Sequence, residues 1–327
     1  LMSLRRLRQD RLAAAGFVLL SLVTATVFAT APRLFTSVSQ DGLRAELAAA
    51  PATARDLRLS QVTRPETMAD FTLDGVGGTG QGLAAQFPPA LRAIIGGTSY
   101  VVSTPLWQPL SGTSIESVIS LRIQQDIEAH LRLTGGRWPT GATTSAPDDL
   151  PGALPKTTVT SFEVAMSAPA AAALQGGGGD TSALEPAAGD PLSQGRLLHA
   201  VITIVGLYAP LDPADPYWLD DTAVESYTVR VNGISESAQE HPQIDTAVVL
   251  APEAYGALAE ATAAGGEVVQ GVLPLEYEWR YRVDTDRVRV ATLDTLVSGL
   301  RRLASLYPST RAGSTFDLGP PATALQS

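Results

Sequence analysis

From Leu12 to Ala31 the chain runs twenty residues without a charge. At about 1.5 Å per residue, a helix of that length covers roughly 30 Å, the hydrocarbon thickness of a bilayer. The polar members of the run, Ser21, Thr24, Thr26 and Thr30, can bond their hydroxyls back to helix carbonyls. Beyond Arg33 the apolar pattern breaks into shorter periods. Leu43, Leu47 and Ala50 recur at helical spacing, which predicts a helix over 34–50 that Pro51 ends. Residues 56–60 and 115–123 alternate as half-buried strands do. Phe71 to Leu73 and Ser99 to Val102 read as short strands, Pro88 to Ile95 as a short helix, and 124–133 as a further short helix. Residues 157–166 and 197–207 are strands, and 168–174 is a helix between them. Residues 246–250 form a strand followed by a helix over 252–264, with proline at a favourable first-turn position. Tyr277, Trp279, Tyr281 and Val283 share one face of a strand. Leu293, Leu296, Val297, Leu300, Leu303 and Tyr307 form one stripe of a helix, with Arg301 and Arg302 turned away.

Between these elements lie segments that punctuate. Gly75 to Gly82 reads as a glycine loop, 135–140 as a sharp turn, 141–155 as a loop and 176–195 as a low-complexity linker or surface loop. Residues 210–221, PLDPADPYWLDD, are too rich in proline for a helix or a central strand. Strands and helices are interspersed, which predicts an α+β fold behind an N-terminal membrane helix.

Charge gives the long run a direction. Arg5, Arg6, Arg8 and Arg11 stand before it, so the positive-inside rule keeps the N-terminus in the cytoplasm and places the large domain outside, at the cell membrane. A cleaved signal peptide has the same charge order, but its apolar region is usually only about 7–15 residues long. Ala29-Thr30-Ala31 fits a cleavage site, yet Pro32 would stand first in the mature chain. The third reading, a buried core helix, sits poorly behind four arginines. The net charge is −10 over 327 residues; residues 1–11 carry +3, so the remainder carries −13. Such a domain repels nucleic acid. With no cysteine, it has no disulfide, thiolate metal site or cysteine nucleophile.

Candidate chemistry is sparse. Gly75 to Gly80 matches G-x-G-x-x-G, but no acid stands about twenty residues on to hold a ribose, so no cofactor is expected. His130, His199 and His241 are far apart and predict no metal site. Asp212, Asp215, Asp220 and Asp221 lack calcium-loop spacing and read as a solvated acidic loop. There is no nucleophile elbow and no phosphate-binding G-x-x-x-x-G-K-[ST] loop. No catalytic residue is nominated, and no enzyme activity is expected.

The order of pieces resembles the FtsX-like/MacB-like permeases of ABC transporters. RRLRQDRLAAAGFVLLSLVTATVFATAPRLF is similar to their first transmembrane helix, and DGLRAELAAAPATARDLRLSQV to the stalk and first strand. GGRWPT resembles the turn that opens an inserted subdomain, with Gly136, Arg137 and Pro139 shaping it. HAVITIVGLYAPLDPADPYWLDD resembles that subdomain's closing strand, and YEWRYRVDTDRV with its Leu/Arg helix the return towards a second membrane helix. Arg137 is equally readable as an ordinary surface arginine. The resemblance implies a cytoplasmic basic segment (1–11), a transmembrane helix (12–31) and a stalk (32–55). It further implies a porter-like α/β subdomain (56–134 and 222–290), an inserted small β-rich subdomain (135–221) and a C-terminal helix (291–327). The chain is then expected to be cut before its second membrane helix. Implied partners are a cytoplasmic ABC ATPase, a second permease copy in a homodimer or heterodimer, and the lipid bilayer. The alternatives are a single-pass anchored binding or sensor domain and a secreted hydrolase.

Overall fold

A computed structural model describes residues 37–63, 72–109, 117–145, 159–186, 200–219, 221–232, 241–264, 274–307 and 317–318. The arginines at 5, 6, 8 and 11 and the apolar run 12–31 lie outside these residues. No described helix is long and apolar enough to cross a membrane.

The described chain is a mixed α/β structure on a large sheet. It starts with α1 (37–49), α2 (Ala52–Arg55) and β1 (Leu57–Thr63). Next come α3 (Leu73–Ala85), α4 (Pro89–Ile94), β2 (Ile95–Ser103), β3 (Trp107–Pro109) and β4 (Ser117–Gln124). The middle of the chain gives β5 (Leu131–Gly136), β6 (Ala142–Ser145), β7 (Val159–Ser167), α5 (Ala168–Leu174), β8 (Thr181–Pro186) and β9 (Ala200–Pro210). Last are α6 (Thr222–Glu225), β10 (Thr228–Asn232), β11 (His241–Val249), α7 (Tyr255–Ala264), β12 (Leu275–Val283), α8 (Leu293–Leu306) and β13 (Asp317–Leu318).

One arm of the sheet runs β13-β1-β12-β2-β4. At β4 the ladder divides. One branch passes antiparallel through β3 and β8 to β9, then parallel to β7; the other goes parallel from β4 to β11. Val249 opposite Ala165 joins β11 to β7, so the two branches meet and six strands close a ring.

The apolar patterns explain how the layers pack. On β12, Tyr277, Trp279 and Tyr281 are fully buried on the predicted face. On α8, Leu296, Gly299, Leu303 and Ala304 are buried while Arg301 and Arg302 are exposed. Each large apolar side chain covered in this way contributes roughly 1.5–3 kcal/mol. A smaller second core gathers Ile127, Leu131, Tyr208, Trp218, Val224 and Val249.

Several predicted elements change. Residues 75–82 are helix, not loop: Thr72 caps α3 by accepting from the Gly75 amide. The predicted strand at 71–73 is therefore the helix start for its described residues. Two β12 side chains hold this glycine-rich helix: the Trp279 indole donates to Val76 O (2.9 Å) and the Tyr281 hydroxyl to Gly80 O (2.9 Å). A Cβ on Gly80 would collide with Trp279 Cδ1, so glycine is required there. Residues 127–129 are a single 3-10 turn, and the chain then re-enters the sheet as β5. The expected linker contains β8, which finds partners on β3 and β9.

The last third of the chain folds back on the first helix. β12 pairs with the whole length of β1, from Leu57 opposite Tyr281 to Thr63 opposite Leu275. Beyond it, residues 286–290 run antiparallel to α1. Gln40 Nε2 donates to Val288 O (2.7 Å), and Gln40 Oε1 accepts from Val290 N (3.0 Å).

Candidate functional site

Gly136, Arg137 and Pro139 shape the turn that ends β5. Gly136 has a φ of +70°, and a Cβ there would collide with Val205 O on β9, so only glycine fits. Pro139 is buried. The Arg137 guanidinium forks onto the Glu163 carboxylate of β7, one arm at 2.7 Å. Glu163 also accepts from Thr140 N (3.0 Å) and Thr140 Oγ1 (2.8 Å). These bonds, the Arg137 fork first, hold the Glu163 carboxyl down at about 2 although burial opposes ionisation.

The acidic loop expected to be solvated is built into the protein. Its described aspartates each make specific bonds, and Asp220 lies outside the described residues. Asp212 accepts from Ala214 N (2.9 Å). Asp215 accepts from Tyr217 N (2.9 Å) and meets His130 Nδ1 at 2.8 Å. The 3-10 turn Pro216–Trp218 lays the Tyr217 ring flat on His130, with centroids 3.7 Å apart, and buries Trp218. Asp221 reaches two buried arginines: Arg122 on β4 at 2.5 Å and Arg280 on β12 at 3.5 Å. Their side chains are only 8% and 7% exposed. Gln124 takes the remaining arms of Arg122 (2.8 and 3.0 Å), and Glu278 and Tyr217 O take those of Arg280 (2.5 and 3.0 Å). Burial opposes ionisation of Asp221, but Arg122 and Arg280 outweigh it and hold the carboxyl below its ordinary range. One carboxylate thus ties the 211–221 segment to two strands of the sheet arm.

Beside this clamp opens a cleft of about 330 Å³. Its walls come from the start of β2, the end of β12, the turn after β4 and the 215–219 segment. A second depression of about 290 Å³ adjoins it and shares Thr98, Ser99 and Gln125. At the lip, Asp126 stands in the left-handed region at φ 59°. Among the described residues no group of three metal-ligating side chains converges. The G-x-G-x-x-G stretch is the body of α3 rather than a strand-to-helix phosphate loop.

Sequence reasoning missed the arginine pair and the cleft. The available signal was a lone charge, Arg122, inside the apolar strand VISLRIQ, together with a tyrosine–tryptophan pair in a loop; Arg280 stands among the charged positions of YEWRYRV and gave no separate signal. Buried arginines need a partner, and an aromatic-bearing acidic loop supplies one.

No family model and no curated protein sequence matches the chain. Among solved structures, the chain is similar to a domain provisionally named as part of a permease protein from Porphyromonas gingivalis. The similarity covers 83% of this chain and 92% of that one, with 11% identity and a TM-score of 0.28. So distant a likeness fixes neither fold nor function.

Proposed function

We propose that the protein is a permease-type membrane component of the FtsX-like/MacB-like kind, whose outer domain receives motion from the membrane helix. The grip of Gln40 on residues 288–290 carries this reading. A displacement of α1 acts first on that return segment, then on β12, and through Arg280 and Asp221 on the 211–221 segment. The path consists of hydrogen bonds and paired strands, which transmit force better than loose loops do. In this reading the four arginines fix the N-terminus in the cytoplasm, and ATP hydrolysis belongs to a separate cytoplasmic ATPase. The permease works as a pair of copies, and this chain performs no chemistry of its own. The sequence resemblance supports the same role.

The absence of native cysteine makes the test direct. Single cysteines at Ser3 and Glu128 are labelled in intact cells with a membrane-impermeant maleimide. Labelling of Glu128→Cys in intact cells, and of Ser3→Cys only after permeabilisation, is the expected pattern; the reverse pattern refutes the orientation. The full chain extracted from its native membrane should carry an ATP-hydrolysing subunit. A chain that purifies without one favours the second reading, an anchored binding module, for which the cleft is the supporting observation.

A further inference from the structure

The two adjoining depressions leave a definite set of side chains uncommitted. Most charges at the first are already paired within the protein: Arg55 with Asp56, His130 with Asp215, Arg280 with Glu278 and Asp221. Arg282 and Asp126 remain, with no hydrogen bond or ion pair among the described residues. Asp74 on the wall of the second depression is likewise without one, so the uncommitted charges are one positive and two negative. The Thr98 and Ser99 hydroxyls and the Gln125 side-chain amide, shared by both depressions, are likewise without a hydrogen-bond partner among the described residues. With Asp74 and Gln81 of the second depression, the uncommitted set holds one pure donor, two pure acceptors and several groups that both donate and accept.

The helix wall of the second depression is unusual as well. Asp74, Gly77, Gly78 and Gln81 fall at i, i+3, i+4 and i+7 on α3 and form one face towards it. Glycine weakens a helix, so it needs a reason. Gly77 lies against the Tyr100 ring, its Cβ position 3.6 Å from that ring. A Cβ on Gly78 would meet nothing within 4 Å among the described residues, whose packing therefore does not require that glycine. A bare backbone beside a cleft lets a ligand approach closely.

We infer that the paired cleft binds a neutral, polyhydroxylated ligand, a saccharide. Sugar hydroxyls donate and accept at once, as Thr98, Ser99 and Gln125 require. A pyranose also presents a C–H face that suits a tyrosine ring such as Tyr100. An anion would face Asp126 and Asp74 with only Arg282 in support, a cation would face Arg282 beside the two acids, and a neutral ligand meets neither repulsion. The two volumes, about 330 and 290 Å³, suit a small ligand rather than a protein surface. The inference does not depend on the permease reading, because it concerns the cleft alone.

The test uses the full chain in lipid nanodiscs, applied to an array of neutral oligosaccharides. Calorimetry with the best neutral glycan follows, with a sialylated glycan and phosphocholine as comparison ligands. The expected result is binding of at least one neutral glycan, weakened about tenfold or more by Gly78→Leu, with the melting temperature unchanged or raised. Arg282→Ala and Thr98→Val should weaken binding too, which covers the case in which Gly78→Leu does not fold. Gly82→Ala is the control: that position is equally open but does not line the cleft, so binding should hold. The inference is overturned if no neutral glycan binds, if only the anionic glycan or phosphocholine binds, or if the cleft variants bind like the parent.

Discussion

At the scale of single residues, the decisive group is Asp221. Removing its charge by Asp221→Asn leaves the buried Arg122 with no carboxylate and Arg280 with Glu278 alone. The expected cost is about 3 kcal/mol, read as a lower melting temperature of the full chain in detergent. Glu163→Gln should behave differently, because the Arg137–Glu163 pair is largely solvated and water and salt screen it. The folded carboxyl lies near 2, below its unfolded value, so its contribution is complete above about pH 4.5 and is lost as pH falls towards 2. The variant should therefore melt lower than the parent at neutral pH, and the two curves should converge between about pH 4.5 and 2. A gap that stays constant on acidification would assign the difference to packing rather than charge. The aspartates around 212–221 show where residue-level reading failed. Their spacing fits no ion site, and only the fold brings Arg122 and Arg280, 158 positions apart, to one carboxylate.

Among the elements, those with clean apolar periods were readable and those with weak local preference were not. The β12 face and the α8 stripe followed from spacing alone, since burial is the force that spacing records. In α3, five of thirteen residues are glycine, and local propensity alone disfavours a helix. Trp279 and Tyr281 reverse that balance by bonding to the α3 backbone from a strand some two hundred residues away. β8 was hidden for a similar reason: a glycine run precedes it, and its partners on β3 and β9 are distant in sequence. Gly80→Ala should destabilise by about 1–3 kcal/mol, because the new methyl displaces a buried indole; tryptophan fluorescence should shift in the same melt. Gly82→Ala, with nothing near its Cβ, should stabilise by up to about 1 kcal/mol.

For the whole molecule, the sheet arm, the strand ring and the acidic segment are joined at few places, and each place is a test. Gln40→Ala removes both bonds between α1 and the return segment, at about 1 kcal/mol each. Hydrogen exchange should then speed up together in 37–49 and 286–290, while the ring β3-β8-β9-β7-β11-β4 stays protected. Faster exchange in α1 alone would mean that the two segments open independently and that α1 does not drive the return segment. The mixed α/β class was legible in the sequence, because helix and strand periods alternate along it. The closure of the ring was not, because it rests on one residue pair, Val249 with Ala165.

The pairing of β1 with β12 also sets a timetable for synthesis. Leu57 waits for Tyr281, which the ribosome adds 224 residues later. At about 5–20 residues per second, that is roughly 10–45 s. Through that interval Leu57 and Leu59, later fully covered, have no strand beside them. A nascent chain in that condition is open to cleavage and to wrong partners. The vulnerable period of this protein therefore lasts until Tyr281 is made, and it shortens only when translation quickens.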